Sequence, residues 1–213
     1  MLNLIAREIR DNIVSVALPC LVSAIGMTLA IVFAFSGFQG GGLVPRGGFL
    51  APTGMVIPVL LLAFGGLGAS QAYGDRANQI SSLLATLGVT RNRIFAARVL
   101  AGLLVVLVSL VPLAVTTILL LWMFMPPLEF YGRMVVEISL TLFLAAAACY
   151  FAGLLVGWTT SKSWLLAGNV LLLLFPMSLV VVKGFGPEAM AILLLFIGAT
   201  LLYAWHTFTS ASL

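Results

Sequence analysis

Long apolar runs separated by short polar stretches dominate this chain. A bilayer core about 30 Å thick is crossed by about 20 apolar helical residues. Six runs reach that length, at residues 13–36, 52–73, 97–124, 134–158, 163–182 and 188–205. No alternation of the kind that marks a membrane barrel recurs. Backbone groups in lipid must pair within their own segment, so each run predicts a helix. The third is long enough to tilt or to project beyond the membrane. The fold class predicted is an all-α polytopic membrane protein, one transmembrane domain over residues 1–213 with six spans.

Two stretches fit neither a span nor a plain loop. In residues 1–12, Leu2, Ile5 and Ile9 lead to Ile13 along one helical face, while Asn3, Arg7, Glu8, Arg10 and Asp11 point elsewhere. That pattern predicts a helix lying in the interface, with its charged side in water. Residues 74–96 form the other stretch. Ile80, Leu83, Leu84 and Leu87 fall at i, i+3, i+4 and i+7, a short amphipathic helix over 78–87. Gly88 supplies a stop, and Thr90 a cap for the next helix. That helix enters the membrane through Ile94, Phe95 and Val99, with Arg91, Arg93 and Arg98 expected at head-group level. A helix of two to three turns is marginal alone in water. Its apolar face calls for a partner, either the membrane surface or a groove on another protein.

Composition narrows the class further. Of 213 residues, 62% are hydrophobic and 8% charged, with a mean hydropathy of +1.23. A soluble domain carries about a quarter of its residues charged. A soluble enzyme, a nucleic-acid-binding module and a disordered chain are therefore excluded. The net charge of +4 forms no contiguous basic patch and reads instead as topology. With both termini cytoplasmic, the inner segments hold Arg7, Arg10, Arg76, Arg91, Arg93, Arg98 and Lys162, against Arg46, Arg133 and Lys183 outside. That bias obeys the positive-inside rule. Cys20 and Cys149 sit in apolar runs and imply no disulfide framework. The N-terminus lacks the layout of a cleaved signal peptide and is expected to be retained.

Pro19, Pro58, Pro112 and Pro176 lie within runs, as packing kinks or as gating hinges. Gly65 and Ala69, Ala145 and Cys149, and Gly153 and Gly157 are small residues four apart, which permit close helix approach. In the loop 37–51, Leu43-Val-Pro-Arg-Gly47 is similar to a thrombin cleavage site set between glycines, and equally fits a flexible connector. Catalytic and cofactor chemistry is not expected. Gly157-Trp-Thr-Thr-Ser-Lys-Ser163 lacks the glycine before the lysine of a phosphate loop and follows a membrane helix instead of a strand. One His and two isolated Cys do not make a metal site. His206 reads as an interfacial residue. Glu137 is the acidic residue that falls clearly inside a run, and ionisable groups in lipid are functional candidates. Arg133, four residues earlier, offers a same-face ion pair instead. Thr116, Thr117, Ser109 and Asn169 either line a pathway or bond back to their own helices.

The order of these features resembles the permease subunits of type-2 ATP-binding cassette (ABC) exporters. Asp75-Arg76 is similar to the charged pair after the second span of that family, and Leu83-Leu-Ala-Thr-Leu-Gly88 to its Leu-rich helix. Thr90-Arg-Asn-Arg-Ile94 is similar to the basic motif before the third span. Two features depart from the pattern. Residues 77–82 are uncharged where an acidic run is usual, and the connection 183–187 is too short for re-entrant helices. The resemblance implies a membrane half-transporter in the bacterial cytoplasmic (inner) membrane. Two permease chains would form the pathway, and a separate ATPase subunit would bind ATP and Mg²⁺. It implies an ATPase-coupling helix carrying Asp75, Arg76, Ile80, Leu83, Leu84, Leu87 and Gly88, and an elbow helix carrying Ile5, Arg7, Ile9 and Arg10. Glu137, Thr116 and Asn169 are the pathway candidates. The alternatives are a proton-coupled secondary carrier using Glu137 and a non-transporting six-span scaffold.

Overall fold

The computed structural model describes residues 13–39, 50–78, 91–124, 128–157, 174–176, 178–179 and 182–210. Five long helices account for most of them: α1 (Ile13–Gln39), α2 (Leu50–Asn78), α3 (Arg91–Phe124), α4 (Leu128–Gly157) and α5 (Pro187–Ser210). Each contains a stretch long and apolar enough to cross a membrane. The described residues thus form the helical bundle of a multi-pass membrane protein. The five expected runs that fall on these helices are each found within six residues of their predicted bounds. Of the remaining run, 163–182, only 174–176, 178–179 and 182 are described, all with helical backbone. The expected interfacial helix over 1–12 lies outside the described residues.

Four helix ends reach five or six residues beyond the expected runs, at the end of α2, the starts of α3 and α4 and the end of α5, and α3 begins directly after its expected cap, Thr90. Helix α2 continues through Asp75 and Arg76 to Asn78, and α3 starts at Arg91. Residues 74–78 and 91–96 therefore belong to the long helices, and the connection between them is residues 79–90. Gly74 does not stop α2, because a single glycine costs a helix only about 1 kcal/mol relative to alanine. At 34 residues, α3 is about 51 Å long at 1.5 Å per residue. It exceeds a 30 Å hydrocarbon core and must tilt or project.

Cross-helix contacts fix an up-and-down arrangement. The Ser70 hydroxyl donates to Ser15 Oγ at 2.9 Å, joining the end of α2 to the start of α1. The Ser23 hydroxyl donates to the Ser109 carbonyl, and Cys20 Sγ lies 3.5 Å from Ser109 Oγ. Ala30 and Ala34 pack on Leu120, so α1 and α3 run parallel. Pro19, Pro58 and Pro112 sit inside helices that stay continuous through them.

Helix α4 is the hub. Of its membrane window 78% is buried, against 22% for α1 and for α5. Ala145–Ala148, Cys149, Tyr150, Phe151 and Ala152 are all buried. The cause is side-chain size. A Cβ at Gly68 would stand 2.7 Å from Leu154 N, and one at Gly157 would stand 2.6 Å from Ala69 O. One at Gly153 would run into the Gly65 carbonyl oxygen. Gly65, Ala69, Gly153 and Gly157 are thus used within the chain, seating α4 backbone against α2 backbone. By contrast, α1, α3 and α5 turn large apolar side chains outward, among them Val14, Leu18, Leu21, Leu104, Val108, Leu194 and Leu195. A surface this apolar belongs in lipid.

The turn into α5 is locally determined. Gly184 takes a left-handed φ of 73°, open to glycine at little cost. Pro187 then fills the first helical position, and Glu188 sits in the first turn, where the helix dipole favours an anion. Lys183 Nζ meets Glu188 Oε2 at 3.1 Å across this turn.

Candidate functional site

The ends of α2, α4 and α5 and the start of α3 gather at one end of the bundle, which also carries Arg76, Arg93 and Arg98. The connection 79–90 attaches there. Both helices that flank it are held by neighbours.

On the α2 side the anchor is a buried polar cluster. The Tyr150 hydroxyl, on α4, donates toward Gln71 Oε1 on α2 at 2.8 Å and toward the Arg98 carbonyl on α3 at 3.1 Å. Tyr150 is fully buried and Gln71 is 1% exposed. Its ring reaches between the helices because Gly102 offers no side chain; a Cβ there would overlap the phenol. A buried phenol without a partner would be costly, so this cluster specifies how the three helices meet.

On the α3 side the anchor is aromatic. Ile94, Phe95, Ala204 and Phe208 form a separate buried cluster between the start of α3 and the end of α5. The Phe95 and Phe208 rings lie 5.6 Å apart at 39°. Next to them the Trp205 indole N–H donates to Asn92 Oδ1 at 3.4 Å. The first turn of α3 is therefore fastened to α5, and its second to α4.

Arg98 is a buried charged residue of α3. It is 3% exposed and faces the bundle interior. The reason is its register. Phe95, Arg98, Ala101, Val105 and Ser109 share the buried stripe of α3, and Arg98 cannot leave it without rotating the whole helix. Arg93, by contrast, is exposed.

Of the expected coupling residues, Asp75 and Arg76 fall on the last turn of α2. Ile80, Leu83, Leu84, Leu87 and Gly88 lie outside the described residues, as do the elbow residues Ile5, Arg7, Ile9 and Arg10. Of the pathway candidates, Glu137 and Thr116 are described, each with a partner on its own helix. Glu137 Oε1 accepts from Arg133 Nε at 2.9 Å, one turn apart on α4, with Arg133 at 91% side-chain exposure. Thr116 donates to the Pro112 carbonyl at 2.8 Å and so bonds its own helix. Asn169 lies outside the described residues.

A cleft of about 420 Å³ opens at the other end of the bundle, between α3 and α4 with the start of α2 at its side. Leu110, Leu113, Leu121, Ile138 and Leu142 make its walls apolar, and Thr117 and Ser139 are its hydroxyl-bearing residues. The Thr117 hydroxyl is already spent on the Leu113 carbonyl. Glu137 and Thr116 do not line this cleft. Among the described residues no three His, Cys, Asp or Glu side chains lie together as a metal site would need.

The sequence alone does not point to Tyr150 or Gln71. The available signal is a phenol and an amide at the edges of apolar runs, where polar groups need partners inside the protein. Fold and site together define a multi-pass helical membrane protein with a braced hairpin, α2–connection–α3, at its arginine-bearing end. Searches of protein-family models, curated proteins and solved structures gave no match to this chain.

Proposed function

We propose that the chain is the membrane-spanning permease subunit of an ABC exporter, coupled to a separate ATPase subunit and forming the pathway as a dimer of permease chains. In this reading residues 163–182 complete six spans. The protein resides in the bacterial inner membrane with both termini in the cytoplasm, and ATP and Mg²⁺ bind the partner.

One observation carries the proposal. The segment with Leu-rich periodicity, 80–87, is the connection between two helices that are each anchored to other helices within two turns of it. A push on a loop with loose ends dissipates in the loop. A push on this connection reaches α2, α3, α4 and α5 as helix movement, as a coupling helix requires. Leu83 and Leu84 would seat in a groove of the ATPase, as an amphipathic helix does. Residues 1–12 would rest on the same partner.

No observation favours the proton-coupled carrier or the non-transporting scaffold. The pairing of Glu137 with Arg133 at an exposed position gives a structural role to the one acid that a carrier reading would use. The test is co-purification. Leu83→Asp and Leu84→Asp should each remove a Walker-motif ATPase from the purified complex while leaving helix content unchanged. Undiminished co-purification of both variants would overturn the coupling assignment.

A further inference from the structure

We infer that Tyr150 is a positioning residue, a latch whose single phenolic proton holds α4 to either leg of the α2–α3 hairpin. A phenol has one hydrogen to donate. Two acceptors stand within reach of it: Gln71 Oε1 on α2 at 2.8 Å and the Arg98 carbonyl on α3 at 3.1 Å. The hydroxyl therefore satisfies one strongly at any moment, and a small rotation about the phenolic C–O bond moves the proton from one helix to the other.

The placement of the acceptors gives this exchange a mechanical meaning. Gln71 lies seven residues before the end of α2, and Arg98 seven residues after the start of α3. Each is about 10.5 Å, two turns, from the connection 79–90. Tyr150 thus stands where the legs of the hairpin can be compared. If the legs slide relative to each other, one acceptor approaches and the other recedes. The ring itself cannot follow freely. Gly102 lies against the phenol, and Cys149 and Phe151 on either side of Tyr150 are buried. Displacement of the connection is read as a change of hydrogen-bond partner before α4 itself moves.

The latch goes beyond the permease reading. It stands on the helix contacts alone, and the test uses the full chain without a partner. Cys149 adjoins Tyr150 and is fully buried, so its alkylation reports separation of α4 from its neighbours. In a Cys20→Ala background reconstituted in nanodiscs, N-ethylmaleimide modification of Cys149 is timed. Loss of a buried hydrogen bond makes local opening roughly five- to tenfold more frequent. Tyr150→Phe, which removes the proton, should raise the rate by about that factor. Gln71→Leu leaves the Arg98 carbonyl as acceptor and should raise it less. The double variant should match Tyr150→Phe alone, because the shared proton is already gone.

Rates in the double variant that multiply the two single effects would show independent packing and overturn the latch. So would an unchanged rate in Tyr150→Phe. If Tyr150→Phe does not fold, Gln71→Leu carries the test alone: a rise supports the latch and wild-type modification refutes it. Failure of ATPase co-purification, in contrast, would sink the permease reading and leave these rates as predicted.

Discussion

Replacing Gly153 by alanine adds one methyl group at the closest approach of α2 and α4. The new Cβ would overlap the Gly65 carbonyl oxygen and lie 2.8 Å from its carbon and 3.0 Å from Gly65 Cα. No side chain can rotate away to make room, since every atom met is helix backbone. Ordinary contact begins near 3.4 Å, so the helices must part by about an ångström, and neighbouring contacts at Gly68 and Gly157 open with them. Overpacking of this kind costs about 1–3 kcal/mol. The opposing gain in helix propensity is at most about 1 kcal/mol. It is smaller still in detergent, where spans remain helical when tertiary contacts are lost, so packing decides the sign. Gly198 on α5 is the control, because a Cβ there meets nothing within 4 Å. Unfolding by SDS in mixed micelles should show Gly153→Ala destabilised by about 1–2 kcal/mol. Gly198→Ala should be unchanged or stabilised by up to about 1 kcal/mol. Equal stabilities for the two variants, or a more stable Gly153→Ala, would refute the close α2–α4 packing.

Two further substitutions test other parts of the account. Glu137→Gln breaks an exposed i,i+4 pair and should change stability by no more than about 0.5 kcal/mol. It should leave transport in reconstituted vesicles near the unmodified level; abolished transport would restore Glu137 as a coupling group. Phe208→Ala removes a 4%-exposed ring that packs tilted against Phe95, and it should cost about 3 kcal/mol in the same SDS unfolding assay. A loss below about 1 kcal/mol would show that α5 does not fasten the start of α3.

Hydropathy made the spans legible but not their arrangement. The window of α3 is the most apolar of the five, yet only 28% of it is buried, while the less apolar α4 is the hub. Apolar content measures compatibility with lipid, and lipid-facing helices need it most. What marked α4 was small size: Ala145–Ala148, Cys149, Gly153 and Gly157 promise close approach, though not to which partner. Periodicity located the Leu-rich connection but not its bracing, because Tyr150 is 52 residues from Arg98 and 79 from Gln71. The burial of Arg98 was hidden for a related reason: its charge suggests the head groups, and only its register on the α3 stripe shows that it faces the bundle. Arg133 and Glu137 were readable as a pair, since four residues on one helix fix their geometry without tertiary information.

On the proposed reading, an ATPase docked on the connection between α2 and α3 drives this chain. That reading is tested most directly by purifying the intact chain from its native membrane in mild detergent and identifying what accompanies it. An ATPase with Walker motifs should accompany it in equal stoichiometry and be lost when Leu84 is replaced by aspartate. Recovery of the chain with no ATPase under conditions that preserve its helical fold would contradict that reading.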